Sequence, residues 1–148
     1  MTDLRYPIGP HRSKPVLTPA ERREAITQIA EAPERLRTAV SGLTPEQLDT
    51  RYRPGGWTVR QTAHHLAPSH MNGYIRFKLG LTEHEPVIKP YDEARWAELS
   101  DSLEMPVDVS LRIFDALHQR WVVLCEALIR AIRPAHHTSR ARHRNPRR

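Results

Sequence analysis

The 148-residue chain has one cysteine, 6% aromatic residues and no long apolar run, and each shortage closes off a class of protein. A lone thiol, Cys125, cannot form an intrachain disulfide, so the fold has to be held by burial and hydrogen bonding, which suits a reducing compartment. No stretch approaches the ~20 apolar residues of a membrane helix, and the N-terminus lacks the basic-then-apolar pattern of a signal peptide. A cytoplasmic protein with no membrane partner is expected. There is no Gly-rich phosphate loop, no CxxC pair, no HExxH pair and no Ser-His-Asp signature. Acidic residues are missing from one region only: residues 129–148 hold seven arginines and no Asp or Glu, while residues 1–128 hold 16 basic against 17 acidic side chains. The net charge of +6 therefore belongs to the tail. A balanced body argues against a nucleic-acid-binding domain, which would carry a basic patch on its folded surface.

Hydrophobic content is low at 39% and prolines are numerous at 13, so the apolar residues have to be gathered on helix faces. Residues 1–17, with Pro7, Pro10 and Pro15, predict an extended arm. Thr18-Pro19-Ala20-Glu21 is a capping box with proline in the first turn, opening a helix whose apolar series Ile26, Ile29, Ala30, Leu36, Ala39, Val40 runs towards Gly42. Pro33 is expected to kink or divide it. Thr44-Pro45-Glu46-Gln47 repeats the capping pattern for one short turn, and Thr58-Val59-Arg60-Gln61 repeats it again for a second helix that runs to about Leu79. A short helix around Asp92–Leu99 is predicted to be anchored by Trp96. The last helix starts near Pro106–Asp108 and ends before Pro134; Val107, Leu111, Phe114, His118, Trp121, Cys125, Leu128 and Ile132 recur along it at steps of four and three. The fold class is all-α, with a helical domain over residues 1–132. Residues 133–148 have no apolar periodicity to offset their ordering entropy and are predicted to form a disordered Arg-rich tail.

Metal-site chemistry is confined to the stretch from Gly55 to His70, which carries His64, His65 and His70. His65 lies at the edge of the apolar face of its helix, where a neutral imidazole can reach a cleft and ligate a metal; a capping or surface imidazole is the alternative. His64 next to it either supports the site or is exposed. On an ideal helix His70 points roughly 140° away from His65, so the two cannot share an ion unless Pro68 bends the helix between them. His118 is either a buried imidazole hydrogen-bonded across the helices or a participant in the metal site. Cys125 shares its stripe and is a small core residue with no cation to activate it.

The block Gly55-Gly56-Trp57-Thr58-Val59-Arg60-Gln61-Thr62-Ala63-His64-His65-Leu66, with Tyr6-Pro7-Ile8-Gly9, Ile88-Lys89-Pro90-Tyr91-Asp92-Glu93, Trp96-Ala97-Glu98-Leu99-Ser100-Asp101-Ser102 and Ala116-Leu117-His118-Gln119-Arg120-Trp121, resembles the YfiT-like metal-dependent hydrolases of the DinB superfamily. The resemblance covers about residues 5–128. It implies a four-helix bundle and a homodimer, with one divalent metal, zinc first and nickel second, held by three histidines. One of these matches His65; the other two belong to a closing His-rich helix that finds no match here. Pro68 stands where the family pattern has an acidic residue. The implied chemistry is activation of water, or of a low-molecular-weight thiol, against a small-molecule substrate, as a hydrolase or as a thiol S-transferase; the rival is a non-catalytic remnant. The tail is then a basic arm, a source of replacement ligands in His136, His137 or His143, or, as its composition best fits, a GC-rich region read off-frame in place of the closing helix.

Overall fold

Three threonines each followed three residues later by Glu or Gln set where the chain turns helical. In the computed structural model, which describes residues 3–132, all three capping boxes form reciprocally. Thr18 and Glu21 open α1 (Pro19–Val40), Thr44 and Gln47 open α2 (Pro45–Leu48), and Thr58 and Gln61 open α3 (Val59–Thr82). In each, the Thr hydroxyl accepts from the N–H three residues on, and the Glu or Gln side chain accepts from the Thr N–H, pairing two helix-start donors that would otherwise be orphaned. Two one-turn helices, α4 (Glu93–Trp96) and α5 (Ser100–Leu103), lead into α6 (Val107–Ile132). The described residues form no strand, only an isolated bridge between Arg51 and Thr58.

α6 packs along both α1 and α3. Small residues on α3, Ala63 and Ala67, each 2% exposed, let α6 approach closely, and Phe114 fills the junction from the α6 side. Gly73 serves the same end one turn further on: a Cβ there would come 3.1 Å from the Trp121 ring, so the missing side chain is what gives the indole its seat. The outer side of α6 is open, with Val123 64% exposed, and a groove of about 500 Å³ runs past Tyr74, Val123, Leu124 and Ala127.

The architecture is all-α as expected, but three expectations are corrected. α1 is not divided at Pro33, which is buried: the residue sits on the side that meets α6, and its missing hydrogen bond is replaced from there. α3 likewise passes Pro68 unbroken and ends at Thr82 rather than Leu79. Trp96 is not the buried anchor of its segment: it is 40% exposed and leans on Tyr91, with ring centroids 4.4 Å apart, while Ala97 at 3% exposure is the residue that seats the segment. The expected disordered tail, like His136, His137 and His143, lies outside the described residues.

Candidate active site

The loop between α2 and α3 is fastened at both ends so that Trp57 arrives in a fixed place. The Val59 N–H donates to the Thr50 carbonyl at 3.1 Å, the Tyr52 N–H to the Trp57 carbonyl at 3.3 Å, and the Arg60 guanidinium to Asp49 at 2.7 Å. That guanidinium holds the Asp49 carboxyl below the usual carboxylate range. Trp57 then lies against His65, with ring centroids 4.7 Å apart. His65 is half-buried. Burial lowers its pKa below the ordinary 6.5, while the Glu93 charge pulls the other way. A neutral imidazole near pH 7 is the form that can lend a lone pair.

His65 opens on a cavity of about 230 Å³ shared with Pro68, Trp96, Leu99, Asp101 and Ser102. One buried residue ties this wall to α3. Gln61, 2% exposed, accepts from the Thr58 N–H through Oε1 at 3.0 Å while its Nε2 donates to the Ala97 carbonyl at 2.8 Å and to Glu98 Oε1 at 3.0 Å. The sequence pattern shows the cap and not this second task.

The other histidines are placed by partners on distant helices. His64 is buried at 4% exposure rather than exposed: its Nε2–H donates to the Met105 carbonyl at 2.9 Å, so Nδ1 is left to accept from the Ser110 hydroxyl at 2.8 Å. This joins α3 to the first turn of α6. His118 is 1% exposed. Its Nδ1 lies 2.6 Å from the Ile29 carbonyl and its Nε2 lies 2.9 Å from His70 Nδ1. Proline has no N–H, so Pro33 leaves the carbonyl four residues before it, that of Ile29, without a helix partner; His118 supplies one from α6. The signals for this contact were in the sequence, a proline four residues after Ile29 and a histidine on an apolar stripe, but only the packing brings them together.

Burial, and after it the neighbouring His118 and His65, push the His70 pKa down from 6.5 to about 4. The sign follows directly. The fold disfavours the charged ring, so this contribution to stability is whole above about pH 6.5 and is lost as pH falls towards about 4. With the ring half-exposed and therefore partly screened, acid titration of the unfolding free energy is expected to show a loss of about 1–2 kcal/mol across that window, absent in His70→Gln. Cys125 is buried and burial raises its pKa, which makes it inert core.

Among the described residues no group of three His, Cys, Asp or Glu side chains stands close enough to hold a metal ion. His65 offers one nitrogen, His64 has both nitrogens engaged, and His118 is locked between Ile29 and His70. A catalytic zinc-type site needs about three protein ligands and an open position. The described residues do not complete one, and the further ligands would have to come from outside them.

A sequence model described as the DinB superfamily matches residues 28–148. A Bacillus cereus protein named "Putative metal-dependent hydrolase" is 55% identical over 128 residues, covering 86% of this chain and 73% of that protein. A Bacillus anthracis protein of the same name is 54% identical over the same length, with the same coverage. Among solved structures, YfiT from Bacillus subtilis, described as "a probable metal-dependent hydrolase with an unusual four-helix bundle topology", aligns with a TM-score of 0.83 at 48% identity, covering 85% of this chain and 72% of that one.

Proposed function

The chain belongs to the DinB superfamily, and from that premise we propose that it is a metal-dependent hydrolase whose His65 is one metal ligand. The observation that carries this is the state of His65, half-buried, held against Trp57 and facing a cavity, with burial keeping its imidazole neutral. When bound, a divalent metal, zinc first and nickel second, supplies a Lewis acid that makes a water nucleophilic near neutral pH. The chain's own residues fix the ligand's aim and the shape of the cavity. Trp57 limits rotation of the imidazole, and Gln61 holds Ala97 and with it the wall formed by Trp96 and Leu99. At about 230 Å³ the cavity is below the ~300 Å³ at which drug-sized pockets begin, which favours a small substrate.

The test is metal content by mass spectrometry on the purified full chain after exposure to zinc or nickel and desalting. His65→Ala is expected to lower affinity by more than the ~10–100-fold that loss of an outer-shell partner typically costs. Unchanged metal content in that variant would remove His65 from the site, and a wild-type chain that retains no metal would favour a non-catalytic member of the superfamily.

A further inference from the structure

The cavity that His65 faces has a neighbour. A second cavity of about 290 Å³, lined from α3, α5 and the first two turns of α6, adjoins it, and Pro68, Asp101 and Ser102 line both. The other polar groups on the walls of this second cavity are already spent within the protein. The His64 Nε2–H donates to the Met105 carbonyl, the Ser110 hydroxyl donates to His64 Nδ1, and the Ser102 hydroxyl donates to the Trp96 carbonyl at 3.2 Å. What remains to meet a guest is apolar: Met71, Met105, Val109 and Ile113. Met71, Met105 and Ile113 are exposed although they surround a hollow, and an apolar patch of that kind gains free energy when something covers it. Two of the three are methionines, whose flexible thioethers mould to a guest.

The His65 side has the opposite character. Neither the His65 ring nor the Asp101 carboxylate is hydrogen-bonded or ion-paired among the described residues, so both are left to a ligand. No Lys or Arg lines either cavity. An anion there would meet the Asp101 charge with no cation to offset it, whereas a neutral carboxamide offers an N–H to the carboxylate and a carbonyl to the imidazole N–H.

We propose that the two cavities form one binding site for a small neutral carboxamide carrying an apolar arm of about benzyl size, the arm lying among Met71, Met105 and Ile113 and the amide head between His65 and Asp101. As the substrate class of the His65 site this rests on the hydrolase reading; as a binding site it does not. The His65 cavity takes the head, and the joined space passes the ~300 Å³ at which drug-sized pockets begin.

Three probes separate arm from charge: phenylacetamide, phenylacetate, which has nearly the same shape with a negative head, and acetamide, which lacks the arm. Each is titrated at pH 7 into the full chain labelled with ¹³C-methyl methionine, without added metal, the signals being assigned by Met71→Leu and Met105→Leu. Phenylacetamide is expected to shift both methyl signals saturably and acetamide to leave them in place. Phenylacetate should bind about tenfold more weakly than phenylacetamide, and the gap should close in Asp101→Asn. Ile113→Phe, which places a ring where the arm lies, should weaken phenylacetamide binding on the order of tenfold or more. Absence of a saturable shift with phenylacetamide, or unchanged affinity in Ile113→Phe, would overturn the arm site. Phenylacetate bound as tightly as phenylacetamide would overturn the neutral head.

Ammonia release by the full chain with zinc added distinguishes this proposal from the hydrolase reading. Burial of the ring is expected to raise kcat/KM for phenylacetamide over acetamide on the order of 10–100-fold. If both amides are hydrolysed equally well, the hydrolase reading stands and the arm falls. If phenylacetamide binds and neither amide is hydrolysed, the carboxamide falls as substrate class and the binding site stands.

Discussion

His118→Ala is expected to cost about 3–5 kcal/mol of folding free energy, the largest effect of any single substitution considered. The side chain is 1% exposed and touches all three long helices: it grows from α6, donates to the Ile29 carbonyl of α1 and accepts from His70 of α3. Truncation opens a cavity beside Phe114. It also strands the Ile29 carbonyl, which cannot fall back on a helix bond because Pro33 has no N–H to offer. An unpaired buried acceptor costs about 1–3 kcal/mol by itself, and the lost packing accounts for the rest. His118→Asn, which keeps the donor to Ile29, should recover roughly half of the loss. Urea denaturation followed by circular dichroism provides the measurement; a loss under ~1 kcal/mol for the alanine variant would mean that α1 and α3 do not depend on this contact.

Gln61→Glu is the second large effect, at about 2–4 kcal/mol, although it changes one atom's chemistry and almost no volume. The Oε1 that caps Thr58 is retained, so the start of α3 should survive. The Nε2 donor is lost, and the Ala97 carbonyl and the Glu98 carboxylate, which it serves at 2.8 and 3.0 Å, then face a buried oxygen. If the introduced carboxyl ionises, a second negative charge meets Glu98 in a site only 2% exposed. The group's pKa in the folded state is therefore raised, and the cost is smallest at acid pH, where a protonated carboxyl can still donate, and grows as pH rises. Denaturation curves at several pH values report this directly. Because the same bonds hold the wall of the His65 cavity, hydrolysis should fall along with stability; Gln61→Glu with wild-type stability at pH 7 would show that the Ala97 segment is held by other means.

The contrast between these two residues shows what the sequence could and could not display. A capping box is a contact between residues three apart, so Thr18, Thr44 and Thr58 announce their helices locally, and all three form. The long stripe of α6 is equally legible because its period is set by the helix itself. Gln61 and Pro33 each have a second role that depends on a partner 36 residues or more away, and no local spacing encodes it. Pro33 was expected to kink or divide α1 because a proline removes a bond; the bond is indeed missing, but a side chain from another helix replaces it and α1 is not divided. The burial of His64 was not legible for the same reason, since Ser110 and Met105 are invisible from its own helix. Trp96 misled in the opposite direction: a large indole suggests burial, yet the small Ala97 beside it takes the buried place. His65 could be singled out because its pattern belongs to a recurring block, while the relation of His70 to His118 had no such pattern to declare it.

The close approach made possible by Gly73 has an optical consequence. Trp121, seated over that glycine, has its ring 6.2 Å from His118 and 6.3 Å from His70, and its indole N–H has no acceptor among the described residues. Trp57 stands in the same relation to His65 at 4.7 Å. A charged imidazole quenches the emission of an indole beside it far more than a neutral one does, so Trp57 and Trp121 are expected to dim when His65 and His70, respectively, take up a proton. Emission from Trp121 should then follow the charge on His70 and emission from Trp57 the charge on His65, an indicator for each without any added label.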